Sequence, residues 1–525
     1  MIYALKTVLK RFVVSARTWS TEYVESNMGD FKVFNDCIHG HIKLNPLCVK
    51  IVDTPQFQRL RNLKQLGPAY FLYPGACHNR FEHSLGVCHL AGKMVEALRR
   101  NSDKNIIITD GEKLCLEIAG LCHDLGHGPM SHTWGKFLQS QSGSTPKKWE
   151  HEEASVMMFE YLLENNGLRE AVKDAVPEMK ENAIQFIEEL IRGKGTVRSN
   201  KKFLYQIISN QENGIDVDRW DYFLRDAKQL NLNISFDYSR ILEFCRVIEV
   251  NNEKIICFRD KERHSIYDMF QVRMTLFHKA CLHDVVRTIE EMFIDALKAA
   301  DEGGYMIHVS DDIKYKLSEA HKYAKALNRM TDHIIFDIFY NIEGKFKEAK
   351  ELLCRILKRD LYTILDSKNF STELVARMNN TQEVDKVNKA VAELEKEIQE
   401  HIREISKDLK YCSYKDFKAI KIKLDMGVKK KRKSEKNNPF SNIYFFEKDN
   451  VDEAKEMEWK DVTVFPVPEE SIHHIHFLII YKDMDNKKRV SRDANMKKEL
   501  DDFRVKLKES WGTFGNRSEH RVGDM

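Results

Sequence analysis

The 525-residue chain carries 84 lysines and arginines against 81 acids, a net charge of +3, which excludes a molecule that binds nucleic acid or membrane through its whole surface. Its 31% charged and 42% apolar residues exclude a disordered chain, and no apolar run approaches the roughly 18 residues that cross a bilayer. The 11 cysteines are scattered without CxxC pairs, which reads as reduced thiols in an intracellular protein.

Residues 1–30 form an N-terminal extension. Lys6, Lys10, Arg11 and Arg17 precede any acid there, with Leu5, Leu9, Phe12 and Val13 at helical spacing, so a basic surface helix and a mitochondrial presequence are both open. Residues 31–365 read as a helical core, with amphipathic patterns over 84–100, 114–125, 155–165 and 266–298. Residues 366–525 read as a C-terminal lobe. It begins with a long amphipathic helix whose stripe runs Val384, Val387, Val391, Leu394, Ile398, Ile402, Ile405 and Leu409, docking on the core or pairing with another subunit. Alternating or clustered apolar residues at 417–424, 443–446 and 475–481 predict strands, hence a small α+β lobe. The expected fold is therefore mainly α: a helical core, a long amphipathic helix and that lobe. Between the first two strands, Lys429 to Lys433 is a nuclear import signal, a phosphate patch or a solvated loop; the first favours a nuclear location over a cytoplasmic one. His473, His474 and His476 read as strand surface.

The densest chemistry lies at Leu121-Cys122-His123-Asp124-Leu125-Gly126-His127-Gly128-Pro129-Met130-Ser131-His132. The preceding 114–120 segment is apolar on nearly every face, so His123 and Asp124 are expected within a buried helix, with His127 one turn on. Such groups are costly there unless paired or metal-bound, which leaves a hydrogen-bonded dyad and a metal site as the two readings. His83 heads an inward stripe of Val87, Leu90 and Met94, and Asp218 sits among large apolar residues with Tyr222 and Asp226 four and eight residues on. Two histidines and two aspartates make a mixed donor set suited to zinc, iron or manganese, with positions left for water and phosphate, whereas magnesium alone would prefer more oxygens. Water activated by such a metal attacks phosphorus esters when arginines are near, and Arg80, Arg219 and Arg273 are the clamp candidates.

The order His83, His123-Asp124, Asp218 resembles the HD superfamily of metal-dependent phosphohydrolases. Asp53-Thr-Pro-Gln-Phe-Gln-Arg-Leu-Arg, Pro74-Gly-Ala-Cys-His-Asn-Arg-Phe-Glu-His-Ser-Leu-Gly, Gly120-Leu-Cys-His-Asp-Leu-Gly-His-Gly-Pro and Gly214-Ile-Asp-Val-Asp-Arg-Trp-Asp-Tyr-Phe narrow it. They resemble the vertebrate deoxynucleoside triphosphate (dNTP) triphosphohydrolases that join a sterile alpha motif to an HD domain. The resemblance implies hydrolysis of a dNTP to the deoxynucleoside and inorganic triphosphate, with His83, His123, Asp124 and Asp218 as ligands. It implies Arg80, Arg219 and Arg273 on the triphosphate, Gln65 and Leu66 on sugar and base, Tyr222 and Asp226 on the ribose, and His127, His132 and His151 as acid/base groups. It also implies nucleotide-driven dimers and tetramers. Lys32, Val33, Asp53, Gln58, Arg61 and Arg359 would take GTP or dGTP; Asn35, Arg240, Arg259, Lys261 and Lys448 would take a second dNTP.

The departures are specific. Residues ahead of Lys32 leave no room for a sterile alpha motif. Gly135 stands where the family has an acid beside the later histidine, with Glu150 or Glu152 as substitutes. Cys281 replaces a substrate-contacting tyrosine, Phe277 a histidine and Asp284 a basic residue. Two other classes stay open: an HD phosphodiesterase, and a catalytically weakened paralogue that binds nucleotides or single-stranded nucleic acid.

Overall fold

The computed structural model describes residues 31–141, 149–370, 384–425, 442–457, 473–482 and 494–522; the basic run at 429–433 and the 1–30 extension lie outside them. Strands β1 (Lys32–Asp36) and β2 (Gly40–Leu44) form an antiparallel hairpin in which Asp36 faces Gly40. Gly40 closes the three-residue turn at φ +71°, a left-handed backbone that a β-carbon would strain. Ile42 and Leu44 turn into the core while their neighbours stay exposed, the period-2 signature of a half-buried strand.

Two helices form the centre. Helix α1 (Arg80–Asn101) starts at a capping box between Asn79 and Glu82, and α2 (Asp110–Cys122) at one between Thr109 and Glu112. Both are buried on most faces because they pack on each other; α3 (His132–Gln141) follows α2 in the chain, α4 (His151–Asn165) and the helix Asn182–Arg192 pack against α2, and α5 (Val217–Gln229) packs against α1. The His123-Asp124 pair is not within a helix as expected: α2 stops at Cys122, and residues 123–131 run as turns to α3. His127 reaches the same neighbourhood through that turn, its N–H donating to the Asp124 carbonyl at 3.2 Å. Gly126 and Gly128 are the local signal for the break.

The hairpin β3 (Arg246–Val250) and β4 (Glu253–Arg259) precedes α6 (Arg263–Leu276). The single helical pattern expected over 266–298 is two helices. A π turn at Phe277–Cys281 widens the coil, and the His283 imidazole accepts from Val285 N at 3.2 Å to start α7 (Asp284–Glu302). The core closes with α8 (Lys347–Leu357).

Beyond it come β5 (Thr363–Phe370), α9 (Val384–Ile405), β6 (Phe417–Asp425), β7 (Tyr444–Phe446), β8 (Ala454–Glu456), β9 (His473–Tyr481) and α10 (Ala494–Val522). The lobe sheet is antiparallel in the order β5-β9-β6. Its side chains alternate. Phe417, Phe477 and Ile479 pack against Leu394, Ile398 and Ile402 of α9 and Leu500, Phe503 and Leu507 of α10, while Ile420, Ile422, Leu478 and Ile480 join the main core. The described part of the α9 stripe thus covers its own lobe. The strand expected at 443–446 belongs elsewhere: β7 pairs in parallel with β4, Phe445 opposite Phe258, in the order β8-β7-β4-β3. The molecule is mainly α with small sheets. Among the described residues, no helix is long and apolar enough to cross a membrane.

Candidate active site

Capping and close approach place the ligand-type groups. His83 stands one turn inside the capped start of α1, His123 and Asp124 follow the last residue of α2, and Asp218 opens α5, whose N-cap Asp216 accepts from Arg219 N at 3.1 Å. Gly86 lets α5 approach α1: a β-carbon there would lie 1.8 Å from Asp221 Oδ1. The connection after α2 is pinned by the buried Arg59, which donates to the carbonyls of Leu125 at 3.0 Å and His127 at 2.5 Å.

Four side chains from three elements converge. His83 Nε2 is 3.0 Å from Asp218 Oδ1 and 3.6 Å from Asp124 Oδ2; His123 Nε2 is 3.5 and 3.6 Å from the same atoms. Both ring tautomers are set from behind. His83 Nδ1 lies 2.7 Å from Asp221 Oδ2 and His123 Nδ1 2.8 Å from the Gly120 carbonyl, so both Nδ1 atoms donate and the Nε2 lone pairs face the carboxylates. His123 Nε2 is buried without a hydrogen-bond partner. Lone pairs aimed at carboxylates repel unless a cation lies between them. An ion with bonds of about 2.0–2.2 Å holds its ligand atoms roughly 3.0–3.5 Å apart, so the donor set fits a divalent metal. Without one, protons take its place: burial pulls His83 down, but Asp218 and Asp221 outweigh it and push the imidazole up to about 10. Burial raises the Asp218 carboxyl, yet His123 and His83 hold it far below the usual carboxylate range.

A second histidine group adjoins the first through Asp124. Asp124 Oδ1 lies 3.2 Å from His127 Nε2, and the His127 ring packs 4.3 Å from His151 and 5.2 Å from His132. Burial, then the Arg80 guanidinium, pushes His127 and His132 down, His132 to about 3. His151 is also lowered by burial, against a rise from Glu152, whose Oε2 is 3.2 Å from His151 Nδ1. Gly135, in contact range of the Trp149 ring, brings no carboxylate. Of the two substitutes considered from sequence, Glu152 is the one paired with His151.

All of these groups line one cavity of about 2240 Å³, together with Gln65, Leu66, Arg80, Arg219, Tyr222, Asp226 and Arg273. Ligand pockets commonly span about 300–1,000 Å³, so a nucleotide fits with room for water. Arg80 donates to Asp124 Oδ2 at 2.5 Å and to Ser131 Oγ at 2.9 Å. Arg273 lies 3.4 Å from the Tyr222 hydroxyl, and its guanidinium stacks 4.0 Å from the centre of Phe277, which explains an aromatic ring at that position. Gln65 Oε1 is buried without a partner. Cys281 lines the same wall with its thiol pushed up to about 12 by burial.

Sequence reasoning missed several residues. Asp226 is held by His78 Nε2 at 2.7 Å. Asp221 supports His83 and is itself bound by His39 and Arg225. Asp221 was findable, three residues after Asp218 on one helix face; His78 and His39 carry no local signal.

The activator-type residues lie outside the cavity. Lys32 Nζ is 3.3 Å from Asp53 Oδ2, Arg61 Nε donates to Gln58 Oε1 at 2.7 Å, and Val33 is exposed between strand neighbours. Arg359, in the left-handed turn after α8, shares no hydrogen bond or ion pair with them among the described residues. Of the second set, Arg240 pairs with Glu262, Arg259 with Asp260, and Lys261 lies in the turn between them; Lys448 follows β7, whose Phe446 faces Arg259. Asn35 is on β1, opposite His41 in a separate sheet. Asp284 and His476 meet at 2.9 Å, and His476 also bonds Asn369 at 2.8 Å, so this histidine ties strands and core together.

An HD-domain model matches residues 80–226, which run from Arg80 to Asp226 and hold all four converging ligand groups. Fold and site thus define an HD-domain protein. The chain is 41% identical over 438 residues to the Homo sapiens deoxynucleoside triphosphate triphosphohydrolase SAMHD1, covering 81% of this chain and 66% of that one. The Bos taurus protein of the same name is 40% identical over 443 residues, covering 81% and 70%. The Dictyostelium discoideum SAMHD1 homolog is 35% identical over 355 residues, covering 68% and 63%. The chain belongs to the SAMHD1 family of deoxynucleoside triphosphate triphosphohydrolases, and it spans about two thirds of the length of these relatives.

Proposed function

We propose that this protein hydrolyses dNTPs to deoxynucleosides and inorganic triphosphate. The observation that carries the reading is the convergence of His83, His123, Asp124 and Asp218 in a cavity that also holds three arginines and three imidazoles. His83, His123, Asp124 and Asp218 would hold the metal; zinc, iron or manganese suits this mixed set, with magnesium at the triphosphate. Bound there, the metal supplies Lewis acidity and a water nucleophile at neutral pH.

The chain's own residues supply the rest. Arg80, Arg219 and Arg273 grip the triphosphate and favour charge as it gathers on the phosphate oxygens. Gln65, with its unpaired carbonyl, and Leu66 meet the sugar and base, and Tyr222 with Asp226 closes on the ribose where a 2′-hydroxyl would be crowded out. His151, flanked by His127 and His132, delivers a proton to the leaving 5′-oxygen, and Glu152 replaces the family's acid by orienting His151 from Nδ1. Lys32, Val33, Asp53, Gln58, Arg61 and Arg359 take GTP or dGTP; Asn35, Arg240, Arg259, Lys261 and Lys448 take a dNTP; the two together drive tetramer assembly.

Incubation with dGTP, or with GTP and each dNTP, should release inorganic triphosphate, and His123→Ala with Asp124→Ala should abolish it. Pyrophosphate or monophosphate as product would overturn the reading. Gly135 favours one competitor, a nucleotide-binding paralogue without turnover, which would show bound nucleotide and no triphosphate.

A further inference from the structure

Behind His83 lies a buried chain of hydrogen bonds that leads out of the catalytic cavity and into the N-terminal hairpin. Asp221 receives four contacts on its two oxygens: His83 Nδ1 at 2.7 Å, His39 Nε2 at 2.7 Å, and Arg225 Nε and Nη2 at 2.8 and 2.9 Å. His39 sits in the turn between β1 and β2, and its side chain is 0% exposed. Its Nδ1 lies 3.1 Å from the Tyr238 hydroxyl and its ring packs against His89. Arg225 is held in turn by Asp36, the last residue of β1, at 2.9 Å, and Asp36 Oδ1 accepts from the backbone N–H groups of Ile38 and His39. Two of the three side chains anchoring Asp221 are therefore set by the hairpin.

A carboxylate behind a ligating imidazole fixes the ring and strengthens it as a donor, and losing such support typically weakens metal binding about 10- to 100-fold. The same hairpin carries Lys32 and Val33 on its open side, each more than half exposed, with Lys32 paired to Asp53. Lys32 is four residues from Asp36, about 13 Å along one strand. We infer that the β1–β2 hairpin is a structural part of the metal centre, so that an anionic nucleotide bound at Lys32 and a divalent metal bound at His83 stabilise each other. Ordering the hairpin orders His39 and Asp36, hence Asp221, hence the His83 ring. The reverse path is equally strong, because coupling between two binding sites is reciprocal. The inference rests on the metal reading of His83 and the nucleotide reading of Lys32.

The test uses the full chain, stripped of metal, with Mn²⁺ as probe. His39→Ala should weaken Mn²⁺ binding about 10-fold or more, and His39→Gln, whose amide nitrogen can donate from nearly the same place, should restore most of it. A second measurement needs no substitution in the hydrogen-bond chain. GTP should bind the Mn²⁺-loaded wild type, dialysed free of excess metal, about fivefold or more tighter than the stripped protein. Lys32→Ala should remove that GTP response and keep the Mn²⁺ affinity. Unchanged Mn²⁺ binding in a folded His39→Ala, or GTP affinity indifferent to metal in the wild type, would overturn the inference while leaving the metal site intact. Mn²⁺ binding that survives His83→Ala would instead overturn the metal reading beneath it.

Discussion

Asp124 serves two neighbourhoods at once. One oxygen faces His83 and His123, the other faces His127, so the carboxylate that would ligate a metal also orients the edge of the acid/base group. The meeting of His83, His123, Asp124 and Asp218 was legible in the sequence because each is costly in an apolar surrounding without a partner. Of the groups behind them, Asp221 carried a local signal but its anchor His39 did not, since the two are 182 residues apart and only folding joins them. Two outcomes belong at this scale. Glu152→Gln should lower kcat about 100-fold with KM little changed, because it loosens His151 and leaves the arginines in place; an equal loss through KM would assign Glu152 to binding. Gly86→Ala drives a methyl into Asp221 and Arg225 in a site without slack. It should cost about 1–3 kcal/mol of stability and lower metal content measured by mass spectrometry, and wild-type metal content would contradict this.

Among elements, the instructive cases are those where a correct local pattern met a distant partner. The strand at 444–446 was visible as an apolar cluster, yet its partner β4 lies nearly 200 residues earlier, and period-2 patterning carries no information about that choice. The end of α2 was hidden for the opposite reason: Leu121 to Leu125 are all buried, as in a continuing helix, although the backbone has already turned. Two consecutive residues with φ of 56°, Met130 and Ser131, then redirect the chain into α3, an uncommon conformation for non-glycine residues, here held by Arg80 and Asp332. A pH dependence arises between α4 and the helix Asn182–Arg192. Partial burial and then the hydrogen bond to Glu160 push the Glu188 carboxyl up from 4.5 to about 7. A folded-state value above the unfolded one favours the protonated form, so this contribution is full below about pH 4.5 and fades as pH rises towards 7. Glu188→Gln should flatten the melting temperature across that window, and an unchanged slope would remove Glu188 as its source.

At the scale of the molecule, the lobe is fastened to the core by charge as well as by its apolar sheet face. Glu291 of α7 bonds Lys418 and Lys482, Asp295 takes a further contact from Lys482 at 2.7 Å and from the Tyr362 hydroxyl at 3.0 Å, and Asp284 bonds His476. Burial raises the Glu291 carboxyl, but Lys482 and Lys418 outweigh it and bring it to about 2. The stabilisation is therefore present above about pH 4.5 and is lost as pH falls towards 2. Glu291→Gln leaves two half-buried lysines short of their counter-charge, a loss of about 1–3 kcal/mol, below that of a fully buried pair because Lys418 is partly in solvent. Hydrogen exchange should rise in β6 and β9 before it rises in α1; uniform exchange would argue against a separable lobe.

That fastening reaches the cavity. The segment from Arg273 to Cys281 forms one of its walls, and the next helix, α7, carries Asp284, Glu291 and Asp295 to the lobe. The metal-type groups sit on other elements, α1, the turn after α2 and the start of α5. A molecule nicked in the lobe would therefore resemble a vice with a fixed jaw and a slack one. It would still retain its ion, while its affinity for triphosphate fell.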